Sequence, residues 1–71
     1  MVKKVKIYGG LIKNQDEWSY YFGAHKDTFA FGPKTFDRSI SEKMLNDEFQ
    51  QAKEQFGEDF EVEFVREDNL N

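Results

Sequence analysis

Acidic side chains alternate with apolar ones near the end of the chain, and they are the first candidates for chemistry. Asp59, Glu61 and Glu63 occupy every second position, and Glu67 shares their parity. In a strand these carboxylates would point the same way, at steps of roughly 6.6–6.8 Å. Regular negative charge is what a nucleic-acid backbone offers to lysines and arginines. We call these residues the acidic row and predict that they bind a protein with a basic surface. The predicted flanking charges are Asp47 and Glu54.

The acidic row also has a purely structural interpretation. Charged residues on an edge strand prevent that strand from pairing with other chains. If the first and last strands are neighbours, Lys4 and Lys6 would lie beside Glu61 and Glu63 and cancel part of their charge. In that case the row would be only a solvated face of the sheet.

Tyrosines and lysines share the face of the sheet predicted to lie opposite the core. Tyr8 and Tyr21 fall on that parity, as do Lys4 and Lys6. Rings beside lysines can hold single-stranded nucleic acid, because rings stack on bases and ammonium groups bind phosphates. The same residues suit a protein interface, where tyrosine is enriched. Nearby carboxylates would repel a nucleic-acid backbone, so we favour protein contact and add Tyr8 and Tyr21 to the predicted protein-binding site.

Residue types for catalysis or metal binding are scarce. The sequence has no cysteine and a single histidine, His25, at a predicted hairpin tip. Signature motifs of hydrolases, zinc proteases and nucleotide-binding enzymes are missing from it. Carboxylates along a strand diverge, whereas a hard cation needs oxygens that converge. We therefore predict that the protein is not an enzyme and has no catalytic residue, no metal site and no cofactor.

Composition predicts a small globular chain whose charges are separated. Its 71 residues include eight Phe, three Tyr and one Trp, and a domain of this size needs such large rings to build a core. Residues 1–36 hold six basic and three acidic side chains and residues 37–71 hold four and eleven, so the halves carry +3 and −7. No apolar run approaches the ~20 residues that span a bilayer. We predict a cytoplasmic monomer or homodimer that contacts no membrane.

Alternation of apolar and polar residues predicts strands on both sides of one helix. The strands are expected over residues 5–13, 18–24, 28–31 and 60–65. Gly9 and Gly10 mark a bend in the first strand or, alternatively, a tight turn between short strands, and we favour the bend. A single domain over 1–66 is expected to be followed by a short polar tail over 67–71 that frays.

The order β-β-β-α-β predicts a small α+β fold with two layers. A mostly antiparallel sheet would pack one face on the helix. The last strand would lie parallel to the first, beside it or beside the third, through a right-handed crossover.

An apolar stripe predicts the helix over residues 39–56. The stripe consists of Leu45, Phe49, Ala52 and Phe56. Either Ser39 or Ser41 could cap the N-terminus, and the sequence does not choose between them. Gly57 is expected in the left-handed conformation that ends many helices.

The aromatic segment 20–33 could stack ligands or fill the core. Parity assigns its core-facing rings to the side of Trp18; these rings are Tyr20, Phe22, Phe29 and Phe31. Tyr21 is then the one ring of this segment that faces outward. In the loop that follows, Phe36 is expected to tuck under the helix.

These features together predict a small acidic protein that acts by binding another protein. Nucleic-acid-mimicking inhibitors from phages, such as anti-restriction and anti-CRISPR proteins, are similar in size, acidity and lack of cysteine. That likeness implies occlusion of the basic site of a nucleic-acid-handling enzyme, although no motif assigns the chain to a named family. The alternative is a small nucleic-acid-binding module that uses Tyr8, Tyr21 and the N-terminal lysines.

Overall fold

The structure, a computed structural model, describes residues 3–25 and 28–70. In chain order its elements are β1 (Lys3–Asn14), β2 (Glu17–His25), β3 (Thr28–Phe31), α1 (Arg38–Phe56), β4 (Phe60–Arg66) and β5 (Asn69–Leu70). The strand order is β3-β2-β1-β4, and β5 pairs with β1 beyond the end of β4. The predicted α+β fold is confirmed, with β4 beside β1 and parallel to it. The sheet is mixed rather than mostly antiparallel, because both β4 and β5 pair with β1 in parallel.

Strand β1 is continuous through both of its glycines, so the alternative hairpin does not form. It pairs with β4 along Lys3–Gly9 and with β2 along Tyr8–Asn14. The missing side chain of Gly9 lets the helix approach, since a Cβ there would lie 2.9 Å from Cζ of Phe49. The long strand therefore joins both halves of the sheet under one helix.

The core lies between the helix and one face of the sheet. Its buried apolar residues are Ile7, Leu11, Tyr20, Leu45 and Phe49. The helix packs on β1, β2 and β4, and the rings of Phe49 and Phe64 stack with their centroids 4.5 Å apart. The opposite face of the sheet has no helix over it among the described residues, and we call it the open face.

Both predicted helix ends differ from the structure. Asp37 caps the N-terminus, because its carboxylate accepts a 2.9 Å hydrogen bond from the amide of Ser39. Ser41 is instead buried, and its hydroxyl shares a 2.8 Å hydrogen bond with that of Thr35. At the other end Gly57 is right-handed, with φ −66°, since its amide continues the helical pattern to the carbonyl of Lys53.

Residues 67–70 are held against β1 rather than frayed, which corrects the predicted tail over these residues. The amide of Glu67 donates a 2.9 Å hydrogen bond to the carbonyl of Gly9. Two residues further on, β5 pairs with Ile12 and Lys13 of β1. We call residues 67–70 the C-terminal strap; Asn71 lies outside the described residues.

Phe36 does not tuck under the helix. It is 81% exposed, because the preceding residue is held on the other side of the backbone. Thr35 and Trp18 exchange two 2.7 Å backbone hydrogen bonds, and the Thr35 hydroxyl donates to the carbonyl of Asp37. The predicted turn before β3 falls largely on residues 26 and 27, which lie outside the described residues.

Candidate functional site

The hairpin of β2 and β3 carries aromatic rings on the open face. Tyr21 pairs with Phe31, and Phe22 pairs with Ala30. Residues that pair across antiparallel strands point to the same face. Phe29 and Phe31 therefore lie with Tyr21, and their predicted place in the core is wrong.

Helix coverage explains this arrangement. The helix packs on β1, β2 and β4, so a ring on the helix side of β3 would gain little burial. On the open face Phe29 meets Tyr21 edge to face, with centroids 4.9 Å apart and planes at 65°. A register shift between Phe22 and His25 decides the orientation of β3, because without it the His25–Thr28 pair would place Phe22 opposite Phe31 rather than Ala30.

These rings line a groove of about 690 Å³ on the open face. Its apolar lining consists of Tyr8, Ile12, Tyr21, Phe29, Phe31 and Val65. We call it the aromatic groove. The predicted outward positions of Tyr8 and Tyr21 are confirmed, and Phe31 is 70% exposed beside them. The open face thus presents more aromatic surface than the sequence predicted.

The C-terminal strap closes one side of the aromatic groove. The hydroxyl of Tyr21 donates a 2.6 Å hydrogen bond to the main-chain carbonyl of Glu67. Gly10 makes this possible, since a Cβ at that position would overlap the same carbonyl. Glu67, Asp68 and Asn69 therefore join the lining of the groove.

Arg66 and Asp68 tie the strap to the helix and to β1. The guanidinium of Arg66 donates to both carboxylate oxygens of Glu42, at 2.8 and 2.9 Å, and to Asp68 at 3.1 Å. Asp68 also accepts a 2.9 Å hydrogen bond from the amide of Leu11. The bidentate Arg66–Glu42 pair is the stronger kind of ion-pair geometry.

These contacts shift the pKa values of the groups involved. The hydrogen bond from Arg66 lowers the pKa of Glu42, and hydrogen bonds to Glu42 and Asp68 raise the pKa of Arg66. Partial burial acts to raise the pKa of Asp68, but the Leu11 amide and Arg66 outweigh it and the pKa is lowered. Both carboxylates are therefore held in their charged form.

Negative charge accumulates beside the Tyr21 hydroxyl. Burial raises the pKa of Tyr21, and the charges of Glu67 and Asp68 raise it further. Asp68 is engaged with Arg66 and Leu11. The Glu67 carboxylate, in contrast, has no ion pair with any residue that the structure describes. It is the exposed charge at the edge of the groove.

The predicted acidic row is divided by the tertiary structure. Glu61 and Glu63 lie beside Lys4 and Lys6 in the parallel register of β1 and β4, as the structural interpretation expected. Asp59 precedes β4 in an exposed turn. The row is not one continuous line of unopposed charge.

The flanking charges of the prediction lie on another surface. Asp47 and Glu54 are exposed on α1, and the helix packs on the face of the sheet opposite the aromatic groove. Of the predicted protein-binding residues, the structure brings Tyr8, Tyr21 and Glu67 together. Asp47 and Glu54 could not contact the same small partner surface.

On the helix face, two basic side chains of the protein lie over an aromatic ring. Lys13 lies 5.3 Å and Arg38 lies 5.4 Å from the ring centroid of Trp18. Such distances are typical of cation–π contacts. No local pattern in the sequence indicates this arrangement, because the residues come from three separate segments.

Neither a metal-binding cluster nor a membrane-spanning helix is present in residues 3–25 and 28–70. Within these ranges no group of three or more His, Asp or Glu side chains could hold a metal ion. No helix there is long and apolar enough to cross a membrane. The side chain of His25, the residue considered for catalysis, lies outside the description.

No protein-family model, curated protein or solved structure matches the chain. The function proposed below therefore depends on the aromatic groove, on the strap beside it and on their charges.

Proposed function

We propose that this protein is a non-enzymatic binding module that docks its aromatic groove on a protein with a basic surface. One observation carries the proposal. The groove exposes a cluster of rings, and the charged side chains that line it, among the described residues, are the carboxylates of Glu67 and Asp68. Clustered exposed apolar side chains with a polar rim mark interaction surfaces. The net charge of −4 favours a basic partner over an acidic one.

The proposal keeps the predicted class of function but moves the binding surface. Glu61 and Glu63 lie beside lysines, so the acidic row offers less charge than its sequence implied. The basic site of a nucleic-acid-handling enzyme is one surface of the required kind, and docking there would occlude it. This inhibitory form of the proposal is supported by the size and charge of the chain.

Two exposed phenylalanines provide a matched test. Phe31 is 70% and Phe36 is 81% exposed, but Phe31 lines the aromatic groove and Phe36 lies near the β1–β2 turn. Each is replaced in turn by photoreactive benzoylphenylalanine in the cells that express the protein. We expect a specific crosslinked protein from position 31 and none from position 36. Identical products from both positions, or none from position 31, would contradict the proposal.

Salt dependence gives a second measurement on the captured partner. Attraction between opposite surface charges is screened as ionic strength rises. We therefore expect the affinity to fall between low and high salt, mainly through slower association. An affinity that is constant over this range would argue against a basic partner surface.

Single-stranded nucleic acid is the alternative occupant. Exposed rings next to Lys6 on the same face favour it, whereas the carboxylates of the groove oppose it. A gel-shift assay with single-stranded and double-stranded oligonucleotides separates the two functions. We expect no shift at physiological salt; a shift that Tyr21→Ala abolishes would favour the nucleic-acid module instead.

A further inference from the structure

We infer that the aromatic groove receives an arginine side chain of the partner. Its guanidinium packs against the rings of Tyr21 and Phe29 on one side and pairs with the carboxylate of Glu67 on the other. This inference rests on the proposed function and names the chemical group that docks. It also predicts which residues of the groove give specificity.

The rings form a corner that suits a flat cation. Tyr21 and Phe29 meet at 65° with centroids 4.9 Å apart, and Phe31 pairs with Tyr21 in the neighbouring strand. A guanidinium within about 6 Å of a ring centroid is attracted by the negative face of the ring. Arginine stacks on aromatic faces more readily than lysine does, because its head is planar and weakly hydrated.

The carboxylate of Glu67 supplies the complementary charge. Its backbone is held on both sides of the Cα, because its amide donates a hydrogen bond to the carbonyl of Gly9 and its carbonyl accepts one from the hydroxyl of Tyr21. The side chain is exposed and forms no ion pair with any described residue. Asp68 cannot take this role, since Arg66 and Leu11 already occupy its oxygens.

The chain uses the same chemistry internally. Lys13 and Arg38 lie over Trp18 on the helix face, whereas no lysine or arginine of the described segments lies over Tyr21, Phe29 or Phe31.

Charge also discriminates between the possible occupants of the groove. A second copy would bring another net charge of −4, and a nucleic acid would bring phosphates toward Glu67, so both are opposed where arginine is favoured.

A peptide titration tests the inference without knowledge of the partner. The probe is N-acetyl-Gly-Arg-Gly-amide, and its control replaces arginine by citrulline, which has the same shape without the charge. In two-dimensional NMR spectra we expect the arginine peptide to shift signals of Tyr21, Phe29 and Phe31. The affinity for the citrulline peptide should be about two- to fivefold lower, as expected for the loss of one exposed cation–π contact.

Matched protein variants complete the experiment. Glu67→Gln should weaken binding of the arginine peptide about threefold, whereas Glu54→Gln, an exposed helix carboxylate on the other side of the sheet, should leave it unchanged. Equal binding of both peptides, or shifts that map to the helix, would overturn the inference.

The crosslinking result remains separate from this outcome. A partner crosslinked at Phe31 would still support the proposed function if the arginine peptide failed to bind. A dimer that forms at working concentrations and disappears on Phe31→Ser would overturn the inference, because the occupant of the groove would then be a second copy.

Discussion

The hydroxyl of Tyr21 donates a 2.6 Å hydrogen bond to the carbonyl of Glu67, 46 residues further along the chain. The bond passes over Gly10, which is the Cα partner of Tyr21 in the β1–β2 ladder. It holds the C-terminal strap against the open face, and the strap carries the carboxylate that borders the aromatic groove. The shape of the candidate site thus depends on one glycine, one phenol and the end of the chain.

Tyr21→Phe removes this hydrogen bond while keeping the ring. We expect the free energy of unfolding to fall by about 1 kcal/mol, measured by urea denaturation. Amide hydrogen exchange should accelerate at Glu67, whose amide bonds to Gly9, and not at the Phe22–Ala30 pair of the hairpin. Unchanged exchange at Glu67 would show that the phenol does not hold the strap.

Gly10→Ala tests the close approach directly. A Cβ at this position overlaps the Glu67 carbonyl, so the strap must move, at a cost of about 1–3 kcal/mol in the free energy of unfolding. Once the strap has moved, Tyr21 has lost its acceptor. Tyr21→Phe should therefore cost less in the Gly10→Ala background than in the wild type. Additive losses in this double-mutant cycle would mean that the carbonyl keeps its place.

Acid should weaken the attachment of the strap. The pKa of Glu42 is lowered from 4.5 chiefly by its hydrogen bond with Arg66. For Asp68, burial acts to raise the pKa, but the Leu11 amide and Arg66 lower it from 3.8. Because both folded-state pKa values lie below the unfolded ones, their contribution is present above about pH 4.5 and is lost as pH falls through the folded values. Thermal unfolding measured from pH 6 downward should show this loss.

A matched variant identifies the groups responsible for the acid response. In Glu42→Gln with Asp68→Asn neither group can titrate, so the decline of Tm in acid should be shallower than in the wild type. The same slope in both proteins would assign the acid response to other carboxylates, of which Asp37 is one, since its hydrogen bonds with Ser39 also lower its pKa.

Alkaline pH should release the strap through Tyr21. Burial and then the charges of Glu67 and Asp68 raise the pKa of Tyr21 above 10.0. A raised folded-state pKa contributes stability that is complete below pH 10 and is lost as pH rises through the folded value, where the phenol loses the proton it donates. Carbon-13 chemical shifts of the strap, which do not depend on amide hydrogen exchange, should follow this titration when they are recorded from pH 8 to about 11.5. In Tyr21→Phe that transition should be absent, and its persistence would point to Tyr20 or to general unfolding.

The helix cap predicts a difference between similar substitutions. Asp37→Ala removes the carboxylate that accepts hydrogen bonds from the amide and hydroxyl of Ser39 and should lower Tm. Asp37→Asn keeps a good capping group and should lower it less. Thermal unfolding followed by circular dichroism measures both changes. Equal losses would indicate that the charge of Asp37, rather than its hydrogen bonds, stabilises the start of the helix.

Local patterns were sufficient for five of the six elements of the fold. Alternation placed β1, β2, β3 and β4, and the apolar stripe placed α1 to within one residue of its start. The strap could not be predicted in this way. A two-residue strand has no periodicity, and β5 exists because β1 extends past the end of β4 and leaves backbone groups of Ile12 and Lys13 to pair.

The candidate site was predicted in part. Tyr8 and Tyr21 followed from their parity on strands whose buried face was evident. The positions of Phe29 and Phe31 did not, because a short edge strand can present either face to the core. Its orientation depends on its register with β2 and on which strands the helix packs against. The role of Glu67 depends on a contact between residues 46 positions apart, which no local pattern records.

The sequence by itself determined the kind and order of β1 to β4 and α1, since hydrophobic period is a property of neighbouring residues. Only the tertiary structure decided which side of the sheet received the aromatic rings and which carboxylate came to border them. The physical reason is that facing and proximity are set by strand register, by helix coverage and by the space left at Gly10, all of which involve residues distant in the chain.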